Sequence, residues 1–351
     1  MRLHPVPSST FLALAALLLL SSACPSSEAM RAAAEGAKLY DAGDYDAARP
    51  LLERAAEKGL ENGELFYRLA YIYDLKSQPE KGRSFREKAV PLLEKQAASK
   101  EGTLETWYYL TAGYANLNRQ EEMRKAARQA IEKYSEAQGL SGEDLFRLGR
   151  LYQFAEDGAR GASAYRRAVE AFEKEKNPNQ VFYGLALLAD AHTDLQSRRY
   201  ADASRKFQRL AQISPGNPAP PYDTALAHLG AGNLEQAQAD FGQVRDESLN
   251  TEAQYGADVA RHLREAGGMV ERTPDGRALP ELDNAALEEA IRSAAASLRK
   301  AREEQDKGEG GAESVREPQR LFFSLAGEWM LRRNPIREAA LAGGYADLIR
   351  R

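Results

Sequence analysis

The sequence predicts an all-α protein built from a repeated helix-turn-helix unit. A short turn-then-helix pattern recurs along the chain, most clearly as GDYDAA (43–48) and GNLEQA (232–237), with weaker copies at 78–82, 119–123 and 199–203. Apolar residues at three- and four-residue spacing accompany these turns, which indicates one buried stripe per helix. Repetition of such a unit is a stronger indicator of fold class than any single residue.

Length and charge narrow the range of possible partners. The chain has 351 residues, of which 43% are hydrophobic and 28% charged, and its formal net charge is -4. This composition provides for one large core or a stack of small ones. Because the basic residues are interleaved with acids rather than clustered, we predict no nucleic-acid partner.

The N-terminus is typical of a targeting segment. A basic Arg2 precedes a ten-residue apolar run at 11–20, which is too short to span a bilayer as a helix. Three small residues at 21–23 follow, as a signal peptidase requires. The next residue, Cys24, is the only cysteine in the chain. We therefore predict a cleaved signal peptide at 1–23.

The small residues that end in Cys24 directly after the apolar run resemble the lipobox of bacterial lipoproteins. The resemblance implies that Cys24 becomes the mature N-terminus, carries acyl chains and begins a lipidated tether at 24–29. It also implies an outer-membrane lipoprotein facing the periplasm rather than an inner-membrane one, because Pro25 and not Asp follows the cysteine. The alternative is an ordinary secretory signal that ends near a cysteine.

About six segments between residues 30 and 266 resemble the tetratricopeptide repeat, a pair of helices about 34 residues long. The third segment fits best, with Trp107, Leu110, Tyr114 and Ala127 at the family's large and small positions. The equivalent position near the start of each second helix is occupied by Ala48, Gly82, Met123, Gly161, Ala203 and Ala237. The resemblance implies a solenoid, in which each unit buries its apolar stripe only by stacking on its neighbours.

The C-terminal third does not follow the repeat. We expect a turn-rich segment and a long helix at 267–306, a flexible linker at 307–318 where charged residues and glycines dominate, and a helical hairpin at 319–351. The hairpin is predicted to cap the array. The alternative is a separate docking element for a partner or a membrane surface.

In this repeat family the first helices line a concave face, and the resemblance implies which positions point into it. Those positions carry aromatic side chains and few polar ones: Tyr40, Tyr67, Tyr71, Tyr108, Asn116, Phe146, Arg150, Phe154 and Tyr222. Tyr and Arg often carry binding energy at interfaces. Such a face suits an extended or helical peptide. The alternative is that these rings pack between repeats.

Three glutamates recur in the first turn of the first helices, Glu64, Glu105 and Glu143. Carboxylates at this place oppose the positive end of the helix dipole. We therefore favour a structural role for them over an acidic rim around the concave face.

No motif for catalysis stands out. The sequence has no HExxH, GxxxxGK[ST], CxxC or GxSxG pattern. His192, His228 and His262 recur at nearly the repeat spacing, but stacked repeats would hold equivalent positions too far apart for one metal ion. We predict no catalytic residue, no metal site and no cofactor.

The function expected from these observations is that of a membrane-anchored adaptor or scaffold. It would hold an envelope protein or peptide segment near the membrane, with attachment through the lipid on Cys24. The alternative is a periplasmic binding module for a peptide, glycan or small molecule. An enzyme is the least favoured class.

Overall fold

The computed structural model describes residues 26–215, 219–245, 247, 249–332, 345 and 348. The predicted signal peptide and Cys24 lie outside these residues. Within them the regular structure is α-helical apart from one short 3-10 helix, Leu279–Glu281, and one isolated bridge between Arg272 and Ala278. The all-α prediction is therefore confirmed.

The described helices are numbered in chain order. They are α1 Ser27–Asp41, α2 Tyr45–Glu57, α3 Gly63–Leu75, α4 Pro79–Ala98, α5 Leu104–Asn116, α6 Gln120–Tyr134, α7 Gly142–Phe154, α8 Gly158–Lys174, α9 Gln180–Gln196, α10 Tyr200–Ile213, α11 Ala219–Gly230, α12 Leu234–Phe241, α13 Asn250–Ala266, α14 Asn284–Asp306 and α15 Ala312–Leu331. No described helix has both the length and the apolar character that a membrane span needs.

Six equivalent turns confirm the repeat. In each, one residue adopts a left-handed backbone, and the second helix of the pair begins two residues later. These residues are Gly43, Ser77, Asn118, Glu156, Arg198 and Gly232, with φ between 56° and 80°. The N–H of the next residue donates to a carbonyl five positions back, as from Gln78 to Tyr73. This pattern satisfies carbonyls that would be orphaned where the first helix ends.

Short polar side chains begin several of the helices. Thr103 and Ser141 accept hydrogen bonds from the backbone N–H groups three residues later, at 3.1 Å in both cases. Asn62 does the same for α3 at 2.8 Å. Each cap of this kind contributes roughly 1 kcal/mol.

Small residues sit where the two helices of a pair cross. A β-carbon on Gly82 would lie 3.0 Å from the carbonyl oxygen of Ala70. Ala48, the equivalent residue of the first pair, is fully buried. The close approach lets large side chains such as Leu52 and Leu93 fill the space between pairs, and both are fully buried.

The chain forms two compact units. Unit 1 contains α1 to α7, the start of α8 and the segment Glu175–Val181. Its first helices α1, α3, α5 and α7 contact one another in succession, and α1, α3 and α5 each pack against the second helix that follows. Two apolar clusters form its core, one around Leu69 and Leu93 and one around Leu148 and Leu151.

Unit 2 contains Tyr165–Lys174 and the chain from Phe182 onward. Its core joins the last repeats to α14 and α15, and includes the fully buried Phe207, Leu287 and Phe323. Helix α15 packs on α11, α13 and α14. The buried carboxylate of Glu328 on α15 accepts two hydrogen bonds from Arg198 at 2.7 Å, so the C-terminal helix is bound to a repeat turn by charge as well as by apolar contact.

Two predicted boundaries differ from the structure. Helix α1 begins at Ser27, so helix replaces part of the predicted tether 24–29. Helix α15 begins at Ala312, so the second half of the predicted linker 307–318 is helical. Burial of Val315 against the unit 2 core explains that helix, because packing overrides the local preference of a polar segment. The second helix of the predicted hairpin lies outside the described residues.

Candidate functional site

A cluster of tyrosines lies where the first repeat meets the second. Tyr40 at the end of α1, Tyr45 at the start of α2 and Tyr71 on α3 pack edge to face, with ring centroids 5.3 to 5.7 Å apart. Aromatic rings prefer this geometry because the positive edge of one ring meets the negative face of the next. Burial raises the pKa of Tyr40 well above its usual value, so its hydroxyl stays neutral.

The predicted face continues inward into the core of unit 1. Tyr67 stacks on Tyr109 with centroids 4.5 Å apart, and Tyr108 packs on the same ring at 5.6 Å. Tyr67 and Phe146 are each only 6% exposed, whereas Tyr108 is half-buried. Packing between repeats therefore accounts for Tyr67 and Phe146, which a partner could not reach without rearrangement.

Two buried arginines run through the same interior. Arg68 on α3 and Arg147 on α7 are 6% and 5% exposed, and each donates from Nη2 to Oε1 of Glu105 at 3.1 Å. Glu64 and Glu143 lie 3.7 and 3.6 Å from the same two guanidinium groups. The recurring glutamates thus pair with buried cations.

Neighbouring acidic groups favour the charged form of the first of these arginines. Burial by itself would lower the pKa of Arg68, but Tyr109 and Glu105 raise it above its usual value. A charge pair in this environment is costly to break, because the remaining partner would be buried and uncompensated.

Asp41 stands at the edge of this charged cluster. Its Oδ1 is buried without a hydrogen-bond partner, and burial raises the pKa of its carboxyl to about 6 although Arg68 acts in the opposite direction. The backbone oxygen of Asp41 accepts a hydrogen bond from Asn179 Nδ2 at 3.1 Å. The same nitrogen donates to Glu143 Oε1 at 3.1 Å, so one side chain links the first repeat to the fourth.

Five of the residues near the ends of the first helices remain accessible. On α3, Tyr71 is 37% and Leu75 50% exposed. Asn116 on α5 is exposed, and Arg150 and Phe154 on α7 are half-buried. These five residues, which lie on successive first helices, are called the rim. Four of them are among the positions that the repeat resemblance indicated, and Leu75 is the addition.

Contacts within unit 1 hold Arg150 in place. Its guanidinium lies 5.2 Å from the ring centre of Phe154 and donates to Gln153 Oε1 at 2.8 Å. Its positive charge also opposes the rise in the pKa of Tyr108 that burial causes. A cation fixed in this way loses little conformational entropy when it meets an anionic or aromatic group.

Tyr222, the remaining predicted site residue, belongs to unit 2. Its ring is half-buried and packs edge to face on Phe241 at 5.5 Å. It contributes to the core that α11 and α12 share. The structure therefore describes Tyr222 as part of unit 2, whereas the rim belongs to unit 1.

The three histidines have separate structural partners. His192 is hydrogen-bonded to Asp223 at 3.1 Å, and the ring of His262 stacks on Phe323 at 4.3 Å. His228 joins Asp240 at 2.6 Å through Nδ1 and Ser204 at 2.9 Å through Nε2. No group of three His, Cys, Asp or Glu side chains suited to a metal ion occurs among the described residues.

The Ser204–His228–Asp240 chain has the order of a hydrolytic triad but a different setting. Ser204 is the fifth residue of α10 and is 6% exposed. At that place its own backbone N–H bonds within the helix, so it is not free to stabilise an oxyanion. The chain connects α10, α11 and α12.

Sequence reasoning missed the polar part of the site. Arg68 and Arg147 occupy the same place in their helices, four residues after a recurring glutamate, and this spacing could have indicated paired charges. No sequence pattern indicated Asn179, because its partner Asp41 lies 138 residues away in the chain.

No protein-family model matches the chain, and no curated protein matches it in sequence. Among solved structures, a chain of the APC/C hetero-tetramer Cut9–Hcn1 is 14% identical and has a TM-score of 0.50, with 72% of this chain and 46% of that one covered. The tetratricopeptide-sensor STAND protein PH0952 of Pyrococcus horikoshii is 15% identical at a TM-score of 0.47, with 88% and 45% covered.

A tetratricopeptide repeat protein from Parabacteroides merdae is 16% identical at a TM-score of 0.34, with 85% and 99% covered. The chain thus spans less than half the length of the first two structures. The likeness to Cut9–Hcn1 and the six equivalent turns together show that the chain folds as an all-α solenoid of tetratricopeptide-like helix pairs.

Proposed function

We propose that this chain is a non-enzymatic interaction module that holds a protein or peptide partner against the rim of unit 1. The observation that carries the proposal is the exposure of Tyr71 and Leu75, one helical turn apart on α3. Among the described residues the large hydrophobic side chains that stand out as exposed are Met30, Tyr71, Leu75 and Leu185. Two of these four therefore lie on the rim.

The rim combines exposed apolar side chains with a positive charge, as the centres of protein interfaces often do. Full burial of a side chain the size of leucine is worth roughly 1.5–3 kcal/mol, so covering Tyr71 and Leu75 favours association. Arg150 is already held by Gln153 and Phe154 and offers a positive charge on the same rim. A partner that suits this surface has an apolar side chain for Tyr71 and Leu75 and a carboxylate for Arg150.

The interior of unit 1 supports a surface site over an enclosed one. Tyr67 and Tyr109 fill the space between the first helices, and Arg68, Arg147 and Glu105 satisfy one another there. The alternative of a glycan or small molecule held inside the unit is therefore less favoured.

We also propose that the module works at the bacterial cell envelope as a lipoprotein anchored through Cys24, at the outer membrane and facing the periplasm. The support comes from the sequence at 11–24 alone. Those residues lie outside the described part of the chain. Only Pro25 and Ser26 separate Cys24 from α1, so a lipid at Cys24 would hold the first repeat close to the membrane surface.

Capture of a partner by the full chain tests the rim. The variant Tyr71→Ser with Phe154→Ser removes two aromatic contacts, and we expect it to lose a partner that the wild type retains from detergent-solubilised membranes, as measured by quantitative mass spectrometry. Leu185→Ser is the matched control, because Leu185 is 41% exposed but lies in unit 2.

Unchanged circular dichroism must accompany the loss, so that it reflects binding and not unfolding. If the rim variant captured the same partners as the wild type, or if the Leu185 control lost them equally, the rim would not be the binding surface.

A further inference from the structure

Residues 175–179 connect α8 to α9, and together with 180 and 181, the first two residues of α9, they pack on unit 1, although the residues on either side belong to unit 2. The sequence of residues 175–181 is EKNPNQV, which is polar apart from Pro178 and the final Val181. Glu175, Lys176 and Asn177 are exposed, whereas Pro178, Asn179 and Val181 are half-buried. The segment therefore lies on the surface of unit 1, with its first three residues exposed and Pro178, Asn179 and Val181 partly covered.

Asn179 makes the principal contacts. Its Nδ2 donates to the backbone oxygen of Asp41 and to Oε1 of Glu143, both at 3.1 Å, while its Oδ1 accepts from the N–H of Val181 at 3.1 Å. The oxygen of Asp41 is one of the last carbonyls of α1, which have no partner inside the helix. A side-chain amide from elsewhere thus satisfies a helix end.

Val181 makes the apolar contact. Its Cγ2 lies 3.0 Å from the place where a β-carbon on Gly43 would stand. Gly43 has a φ of 80° in the turn of the first repeat, where an L side chain would also be strained. Glycine at position 43 therefore permits both the left-handed turn and the close approach of Val181.

A cavity of about 650 Å³ separates α1 from the segment. Ala34, Ala37, Lys38 and Asp41 line the α1 side, and residues 177–181 line the other. Asp41 presents the buried, unpartnered Oδ1 at this place. The site formed by α1 and α7 thus includes space that residues 175–181 do not fill.

We infer that residues 175–181 are an internal occupant of a peptide-docking site formed by Asp41, Gly43 and Glu143, and that an extended partner segment bearing a side-chain amide displaces them. This inference rests on the proposed interaction function and adds a second site to it, with the kind of partner it takes. Hydrogen bonds from Asn179 and a methyl contact from Val181 hold the segment, and an extended competing segment of the same chemistry can make these contacts in its place.

The first experiment measures whether the segment is held in the full chain. Lys176 is an exposed trypsin site within it, and Asn179→Ala removes both bridging hydrogen bonds. We expect about tenfold faster cleavage at Lys176 in this variant, since each lost hydrogen bond weakens docking. Asn177→Ala, an exposed position four residues before Val181, is the control and should be cut at the wild-type rate.

The second experiment supplies the segment from outside. The probe is a fluorescein-labelled synthetic peptide with the sequence of Lys174–Phe182, and binding is measured by fluorescence anisotropy. We expect the full-length Asn179→Ala chain to bind it about tenfold more tightly than the wild type, whose site is occupied. A peptide with alanine in place of Asn179 should not bind either protein.

Val181→Ala provides a second way to loosen the segment should Asn179→Ala fail to fold. Equal cleavage, or equal peptide binding, in the wild type and in a folded loosened variant would overturn the inference. The Tyr71→Ser, Phe154→Ser pair added to Asn179→Ala should leave peptide binding unchanged. Loss of binding there would place the peptide at the rim, which would refute this second site and leave the proposed function standing.

Discussion

Asp41 lies beside the buried arginines, yet its ionised form is disfavoured by burial. Arg68 lies near enough to lower the pKa of its carboxyl, but burial outweighs that effect and raises the pKa to about 6. The folded protein therefore holds a proton on Asp41 at pH values where the unfolded chain, with an ordinary value near 3.8, has lost it. Stability attributable to this group falls as the pH rises from about 4 to about 6 and stays lost above that range.

Asp41→Asn should consequently stabilise the protein at neutral pH. A shift of about two units corresponds to about 3 kcal/mol, so we expect the free energy of unfolding in urea to rise by about 1–3 kcal/mol at pH 7.5 and to change little at pH 4. Asp46→Asn is the control, because Lys76 lowers the pKa of that exposed carboxyl. An equal gain for Asp41→Asn at both pH values would contradict the ionisation argument.

The backbone conformation of the repeated turns affects the stability of the helix pairs that they join. Ser77, Asn118, Glu156 and Arg198 adopt the left-handed backbone that Gly43 and Gly232 adopt without strain. A side chain in this conformation costs on the order of 1 kcal/mol, because its β-carbon approaches the following carbonyl oxygen. Four of the six turns therefore carry local strain that the packing of helix pairs offsets.

Ser77→Gly should relieve that strain between α3 and α4. Ser77 is exposed and its side chain caps neither helix, so we expect a gain of about 0.5–1 kcal/mol in the free energy of unfolding, seen as a higher midpoint in thermal denaturation. Gly43→Ala, the reverse change at the equivalent turn, should lower the midpoint. A destabilised Ser77→Gly protein would show that the loss of chain entropy in glycine outweighs the strain.

These same elements show what the sequence could predict. The repeat and its turns are local and periodic, so the fold class followed from spacing and the start of each second helix from the resemblance to the tetratricopeptide repeat. Accessibility did not, since Tyr67 and Tyr71 lie four residues apart on α3 and one is 6% and the other 37% exposed. That difference depends on which ring of a neighbouring repeat lies opposite. The helix at 312–318 was likewise hidden, because Val315 is buried by partners far away in sequence.

Attachment of the whole molecule to a membrane depends on chemistry that lies before α1. Removal of residues 1–23 would take away only Arg2 among the charged groups, which leaves 47 Lys and Arg against 52 Asp and Glu. A weakly acidic protein is not attracted to an anionic bilayer. Acyl chains on Cys24 would supply the attraction instead, at about 0.8 kcal/mol for each buried CH₂, and more than one chain gives a stable anchor.

Cys24→Ala should therefore move the protein from the membrane pellet to the soluble fraction while its helical circular dichroism stays unchanged. Incorporation of labelled palmitate into the wild type, but not into the variant, would identify the attachment as lipid. An ordinary secretory signal would leave wild type and variant soluble alike, because no acyl chain would be present in either. A Cys24→Ala protein that stayed in the pellet after a carbonate wash would instead place the membrane contact within the folded units, where the rim and the C-terminal helix α15 would be the surfaces to vary next.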